Sequence, residues 1–546
     1  MSGHSNRRTG ISRRTALIGL GLGAGFATAG WSAGAAADEP VVETTGGMLR
    51  GIQQAGVQIF RGVRYGESTA GSRFLPPTAA KPRPGALDAK LAGNSAPQIP
   101  GASYPIAAWY TKIEPVSEDC LFLNVFTPLA TQNAKRPVMV WLHGGAWMNC
   151  AGSAPGFDGT SLARDGDVVV VTINHRINIF GHIKLESRDE RFADSGNVGV
   201  LDIVLALKWV RDNINAFGGD PGNVTIFGQS GGAAKVATLM AFPPARGLFH
   251  KAIMQSFSGG AHMRTAEEAA RMARDVAVAA GVDLPDAEKL QALPTEKLIA
   301  TMTVMKEAVY PIIDGKNFSH HPYDPIMAEG AADIPLLIGN AATEATWFMG
   351  GDMKNFDLQD ADARKRIGRY LSVDATETSR IIDAYRATLK DATPTDLLIA
   401  IISDFQFRKN TMSFAAMRAD QGKAPVYYYV FDWRTPVYGG VLRTPHTLEV
   451  PFVFGSTEAA LASVGNGPEI ATLTKGMQSI WTSFARNGDP RTTATRDWAK
   501  YQSQTKPAMM INLESAAVQD PGGDARRAIA KLPAYEYAVP LSYIRA

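Results

Sequence analysis

Apolar residues fall along this chain in two alternating kinds of run. Val138–Leu142 and Val168–Ile173 are nearly unbroken apolar stretches of strand length, and the second opens with four valines. Such runs suit strands buried on both faces of a parallel sheet. Val200, Ile203, Leu207, Val210 and Ile214 then recur at spacings of 3, 4, 3 and 4, the stripe of an amphipathic helix. Val224–Phe227 predicts the next strand, and Ala233–Met240 the next helix. Further strands are expected at Ala252–Gln255, Pro335–Ile338, Val426–Phe431 and Met509–Leu513. This alternation predicts an α/β fold: a mostly parallel, doubly wound sheet flanked by helices. The interval from about 265 to 421 reads as mostly helical and opens on a capping box, Thr265-Ala266-Glu267-Glu268. It is expected to form insertions over the carboxyl edge of the sheet, where α/β enzymes bind ligands. Arg364-Lys365-Arg366 within it reads as a solvated helix face among acidic neighbours.

Length and composition narrow this picture. At 546 residues the chain exceeds the roughly 250–300 over which single cores usually grow. Two domains, or one large α/β domain with insertions, are the options. No repeat or Gly/Ser linker follows Pro40, which favours one domain over 38–546. Hydrophobic residues at 45% and charged residues at 20% exclude a disordered chain. A net charge of +3 is too balanced for nonspecific nucleic-acid binding. Two cysteines exclude a disulfide scaffold and a Cys-rich zinc site.

The amino terminus carries that charge. Ser12-Arg13-Arg14-Thr15-Ala16-Leu17 leads into an apolar run, Ala16 to Gly30, shorter than the ~20 residues a membrane span needs. Ala35-Ala36-Ala37 offers a cleavage site before Asp38. Residues 1–37 thus read as a signal peptide of the twin-arginine type, with a periplasmic or extracellular mature protein that is not membrane-inserted. The segment holds four arginines and no acid, so its removal takes the net charge from +3 to −1.

Gly228-Gln229-Ser230-Gly231-Gly232 fits G-x-S-x-G. Between the strand and helix expected on either side, this reads as a nucleophile elbow, where a tight turn forces the serine into strained geometry. The bland alternative is a Gly-rich turn with a structural serine. A nucleophilic serine needs a base for its proton and donors for the oxyanion. Trp141-Leu142-His143-Gly144-Gly145-Ala146 ends a strand in a flexible loop, so the N–H groups of Gly145, Ala146 and Gly231 are candidate oxyanion donors. His143 sits on that loop, where packing and hydrogen bonding suit it better than service as the base. Trp147, Met148, Tyr310, Trp347 and Phe348 lie near these segments and either line an apolar acyl or alcohol pocket or pack the core.

These segments resemble the type-B carboxylesterase family, which includes the cholinesterases. Arg61-Gly62-Val63-Arg64-Tyr65, Arg73-Phe74-Leu75-Pro76-Pro77, Ser117 to Val125 and Asn223 to Gly232 carry the likeness across nearly all of the mature sequence. The resemblance implies the α/β-hydrolase fold, a small-molecule ester substrate, and no metal or cofactor. It also implies a triad ordered serine, acid, histidine. Glu344, five residues after Gly339, matches the acid, and His446, in His446 to Gly455, matches the base. The expected function is a serine hydrolase cleaving carboxylic esters through an acyl-enzyme. The same triad also serves amide, carbamate or lactone cleavage, and a different class, a non-catalytic binding protein, would be expected to lack one of the three residues.

The chain departs from the family pattern at several points. Gln229 replaces a glutamate that the resemblance associates with cationic substrates. Gly231 replaces alanine, and Ala345 and Thr447 replace glycines after the acid and the base. Cys120 matches a cysteine that normally pairs upstream, but alanine occupies the partner position, Ala96. Two buried thiols are therefore favoured over a Cys120–Cys150 bridge.

Overall fold

The valine runs become the middle of a wide sheet. The computed structural model describes residues 39–99, 101, 105–258, 263–282, 286–305, 307–323, 327–533 and 535, so the expected signal peptide over 1–37 lies outside the described residues. The described residues form one compact unit. Its main sheet has eleven strands among the described residues: β1 (Ile52–Gln54), β2 (Val57–Arg64), β3 (Phe122–Thr127), β4 (Arg136–Leu142), β5 (Val169–Ile173), β6 (Gly219–Gln229), β7 (Lys251–Gln255), β8 (Leu336–Ala341), β9 (Val426–Phe431), β10 (Pro507–Ile511) and β11 (Ala516–Gln519). They lie in the order β11-β10-β9-β8-β7-β6-β4-β5-β3-β2-β1. The seven strands from β10 to β5 run parallel. The flanking strands at both ends are antiparallel. A small separate sheet joins Val41–Thr44, Gly47–Arg50 and Ala86–Asp88.

The central strands read as unbroken apolar runs because both of their faces are covered. Val138, Val140, Leu142, Val169, Val171, Val224, Ile226, Leu336 and Ile338 share one core with the helices Val198–Asn213 and Gly231–Ala241. The alternate residues Met139, Trp141, Val170, Phe227, Leu337 and Tyr429 pack on Leu473, Met477, Trp481 and Phe484 of the helix Ile470–Asn487. Each fully buried large apolar side chain contributes about 1.5–3 kcal/mol relative to exposure. The apolar-run reading did not anticipate β2 and β3 as strands. Gln58, Arg61, Arg64 and Asn124 interrupt their apolar character, and the two strands lie toward the sheet's antiparallel side.

Among the described residues, the interval 265–421 is mostly helical, with helices at Ala266–Ala280, Asp360–Leu371, Ala375–Thr388, Pro394–Ser403 and Lys409–Asp420, but β8 and a stretch of turns and loop before it interrupt the helices. The capping box forms, with Thr265 Oγ1 accepting the Glu268 N–H at 3.2 Å and the Glu268 carboxylate accepting the Thr265 N–H at 2.9 Å. The basic run lies on a helix face: Arg364 meets Asp360 at 2.5 Å, Arg366 donates to Asn355 at 2.8 Å, and Lys365 is exposed. Both cysteines are free and buried, so no Cys120–Cys150 bridge forms.

Candidate active site

Parallel registration brings the candidate segments to one edge. Gly228 pairs with Leu142 across β6 and β4, Gln229 with Gln255 across β6 and β7, and Gln255 with Gly339 across β7 and β8. The loops carrying Gly145 and Ala146, Ser230 and Glu344 therefore leave the sheet side by side at its carboxyl edge.

Ser230 stands between β6 and the helix Gly231–Ala241 with φ 58° and ψ −121°. A non-glycine residue holds such backbone only where its surroundings fix it, at a cost of about 1–3 kcal/mol. The fixing contacts are visible. Ser230 N–H donates to Gln255 O at 2.9 Å, and Ser230 O accepts from Ala234 N–H at 3.1 Å. A Cβ on Gly228 would lie 2.6 Å from the Gly232 carbonyl, and one on Gly232 would lie 2.0 Å from Leu142 O. Strand, helix and the neighbouring strand approach too closely here for any side chain.

Glu344 and His446, 102 residues apart in sequence, meet directly: His446 Nδ1 lies 2.5 Å from Glu344 Oε2. The carboxylate is fully buried, and its other oxygen accepts the Ala341 N–H at 2.7 Å. Main-chain bonds tie the two loops together as well, from Thr343 N–H to Thr444 O at 3.2 Å and from His446 N–H to Glu344 O at 3.4 Å. Thr447, next in sequence, takes φ 79°, a left-handed conformation unfavourable for a β-branched residue and native to glycine. Ala345 instead begins the helix Ala345–Met349, where alanine fits without strain.

Gln229, adjacent to Ser230, links the serine segment to this pair. Its amide nitrogen lies 3.3 and 3.1 Å from the two ring nitrogens of His446. A donor in the ring plane would point at one nitrogen only, so the amide rests against the imidazole face. Tyr110 OH donates to Gln229 Oε1 at 3.2 Å and holds it there.

The oxyanion candidates also converge. Gly145 and Ala146 have positive φ, 75° and 54°. Gly231 packs so tightly on this loop that an added Cβ would sit 2.2 Å from Ala146 O. Among the described residues, no acceptor takes the N–H of Gly145, Ala146 or Gly231. Three adjacent unused donors are what a developing oxyanion requires.

His143 is not placed as a base. Its Nδ1 lies 3.0 Å from Gly144 O and its ring stacks on His175 at 4.9 Å. Burial, then the nearby Lys235, hold both imidazoles well below their usual range, so they are neutral at pH 7.

The pocket candidates divide. Phe348 lies 5.4 Å from the His446 ring and Trp347 6.2 Å from Tyr110. Trp147 instead packs against His182 at 4.7 Å and under the Lys235 ammonium. Met148 Sδ accepts the Val309 N–H at 3.4 Å, and Tyr310 faces Arg264. Residues not singled out in the sequence also contribute. Phe407 lies 4.7 Å from His446 and comes from a π-helical turn, Asp404–Arg408. Lys235 is buried beneath the loop carrying Gly145 and Ala146. The one signal for it was a lysine interrupting the apolar Ala233–Met240 run. A cavity of about 970 Å³ lined by Thr457, Leu461, Ile470 and Arg486 includes none of these residues.

Residues 38–528 match the carboxylesterase family model. The chain is 35% identical over 504 residues to a para-nitrobenzyl esterase of Bacillus subtilis, covering 89% of this chain and 98% of that protein. It is 34% identical to a phenmedipham hydrolase of Pseudarthrobacter oxydans, covering 88% and 96%. A solved carboxylesterase of Geobacillus stearothermophilus superimposes with a TM-score of 0.77 at 38% identity, covering 89% of this chain and 99% of that one.

Proposed function

This chain belongs to the carboxylesterase family, a carboxylic ester hydrolase of α/β-hydrolase fold, and on that footing we propose that Ser230, His446 and Glu344 carry its chemistry. Ser230 Oγ attacks the ester carbonyl while His446 Nε2 takes its proton. Glu344 holds the imidazole with Nδ1 protonated and stabilises the imidazolium that forms. The N–H groups of Gly145, Ala146 and Gly231 receive the oxyanion. His446 then protonates the departing alcohol, and water repeats the cycle on the acyl-enzyme. The observation that carries this reading is the buried 2.5 Å contact between Glu344 and His446, beside the segment that holds Ser230 in strained backbone.

Phe348 and Phe407 against His446, with Trp347 against Tyr110, put aromatic rings beside the base. Gln229 supplies a neutral amide where the family resemblance implies a carboxylate. The preferred substrate is accordingly a neutral ester with an apolar or aromatic group. A panel of p-nitrophenyl acyl esters of graded chain length, run on wild type and Ser230→Ala, tests the mechanism. Undiminished hydrolysis by Ser230→Ala overturns it.

The sequence further supports a mature single-domain enzyme over residues 38–546, exported by the twin-arginine route. Replacing Arg13 and Arg14 with lysine should leave the protein in the cytoplasmic fraction. Unchanged export would refute that route.

A further inference from the structure

Lys235 is fully buried in the helix that follows Ser230. Its Nζ donates to His143 O at 2.8 Å and to Ala146 O at 3.0 Å, and lies 5.3 Å from the Trp147 ring. No carboxylate appears among its partners in the described residues. An unpaired ammonium is costly to bury, and burial brings this one down to about 7. The neutral amine keeps hydrogens for both carbonyls, so the contact does not depend on the charge. Sequences break packing rules in this way chiefly where function requires it.

The position of the lysine suggests what is required. Its two acceptors bracket Gly144-Gly145, the turn that offers the oxyanion donors. Lys235 stands four residues, one helical turn, after Gly231, so both occupy one helix face. The Ala146 carbonyl gripped by Lys235 is the same atom a Cβ on Gly231 would strike at 2.2 Å. Ala146 is itself held at φ 54°. A loop in that conformation, containing two successive glycines, needs an external anchor to stay in place.

We propose that Lys235 is a positioning residue: it clamps the His143–Ala146 turn onto the first turn of the nucleophile helix, and Gly231 leaves the space into which the clamp draws the loop. The inference rests on the oxyanion-hole reading above. Lys235 touches no substrate and acts through the loop's main chain.

The test uses Lys235→Met, Gly231→Ala and the double variant, with p-nitrophenyl butyrate turnover and an aryl trifluoromethyl ketone. That ketone forms a hemiketal oxyanion on the serine. Titration with diethyl p-nitrophenyl phosphate counts competent sites, so rates are read per folded enzyme. Displacing oxyanion donors without deleting them should lower kcat by about 10–100-fold, less than the ~10²–10³ for outright removal of one donor. KM should stay within about threefold, and ketone affinity should fall in parallel with kcat. Gly231→Ala should cost less in the Lys235→Met background, because an unclamped loop can back away from the added methyl. Lys235→Met within about twofold of wild-type kcat, unchanged ketone affinity, or simple multiplication of the two losses would overturn the clamp. Should Lys235→Met fail to fold, Gly231→Ala alone decides: wild-type kcat and ketone affinity refute the proposal. Failure of the underlying reading looks different, since the ketone would then not inhibit wild type and Ser230→Ala would stay active.

Discussion

Replacing Glu344 with glutamine isolates the role of its charge. The carboxylate is fully buried and has two partners among the described residues, the Ala341 N–H on Oε1 and His446 Nδ1 on Oε2. Glutamine has nearly the same shape, and the Ala341 N–H still requires an acceptor. The amide oxygen therefore stays on that side, and the NH2 group faces His446 Nδ1. Two donors cannot share the contact, so Nδ1 must become the acceptor and the ring proton moves to Nε2. In that tautomer Nε2 cannot receive the Ser230 proton. The variant also loses the attraction between carboxylate and imidazolium. Across about 3.5 Å at an effective dielectric of about 20, that attraction is about 4.7 kcal/mol. At about 1.4 kcal/mol per tenfold, kcat should fall by roughly 10³–10⁴. KM should change by less than about threefold, because Glu344 does not contact the ester. Initial rates on p-nitrophenyl butyrate, normalised by active-site titration, measure both. A kcat within tenfold of wild type would refute the assignment of Glu344 as the group that orients the base.

Other consequences concern buried charge and buried thiols. Arg176 and Asp202 form a bidentate pair at 2.8 and 2.6 Å with side-chain exposures of 1% and 0%, so Asp202→Asn strands a cation and should cost about 3–5 kcal/mol in urea unfolding. Glu449 is buried, with Oε1 accepting from the Gln255 amide at 3.2 Å and no side-chain partner for Oε2 among the described residues; burial, then the Glu344 charge, push it from 4.5 up to about 8. Between those values the folded state keeps a proton that the unfolded chain releases, so stability falls as pH rises across that window. Glu449→Gln should flatten that decline in urea midpoints measured from pH 5 to 8, and an unchanged slope would disprove the assignment. Cys120 and Cys150 are buried, and burial raises both thiols, so a thiol-reactive dye should label neither until denaturant is added. Rapid labelling of the native enzyme would contradict the packing.

The aromatic and lysine contacts explain features that the family resemblance treats as departures. Gln229 keeps a polar group on the His446 face without a second negative charge beside Glu344. Gly231 is required here because the loop lies closer to the helix than a methyl group permits. Thr447 is a departure with a visible conformational cost, since its φ of 79° suits glycine, and nothing in its surroundings explains the choice.

The sequence by itself determined whatever depends on a few neighbouring residues. Buried strands showed as apolar runs, the helix at 266 as a capping box, and the elbow as small residues around Ser230. The segments of Glu344 and His446 were legible through local motifs. Only the tertiary structure decided which of these groups touch. Glu344 reaches His446 across 102 residues, and Lys235 reaches His143 and Ala146 across 92 and 89. The stacking of His143 on His175, the turn that brings Phe407 to the imidazole, and the close approach that makes Gly231 necessary are likewise long-range. Periodicity and turn chemistry act through backbone geometry over one or two turns. The partners of a buried lysine are fixed by which strands lie side by side and how closely their loops pack, and a single run of residues carries no record of that.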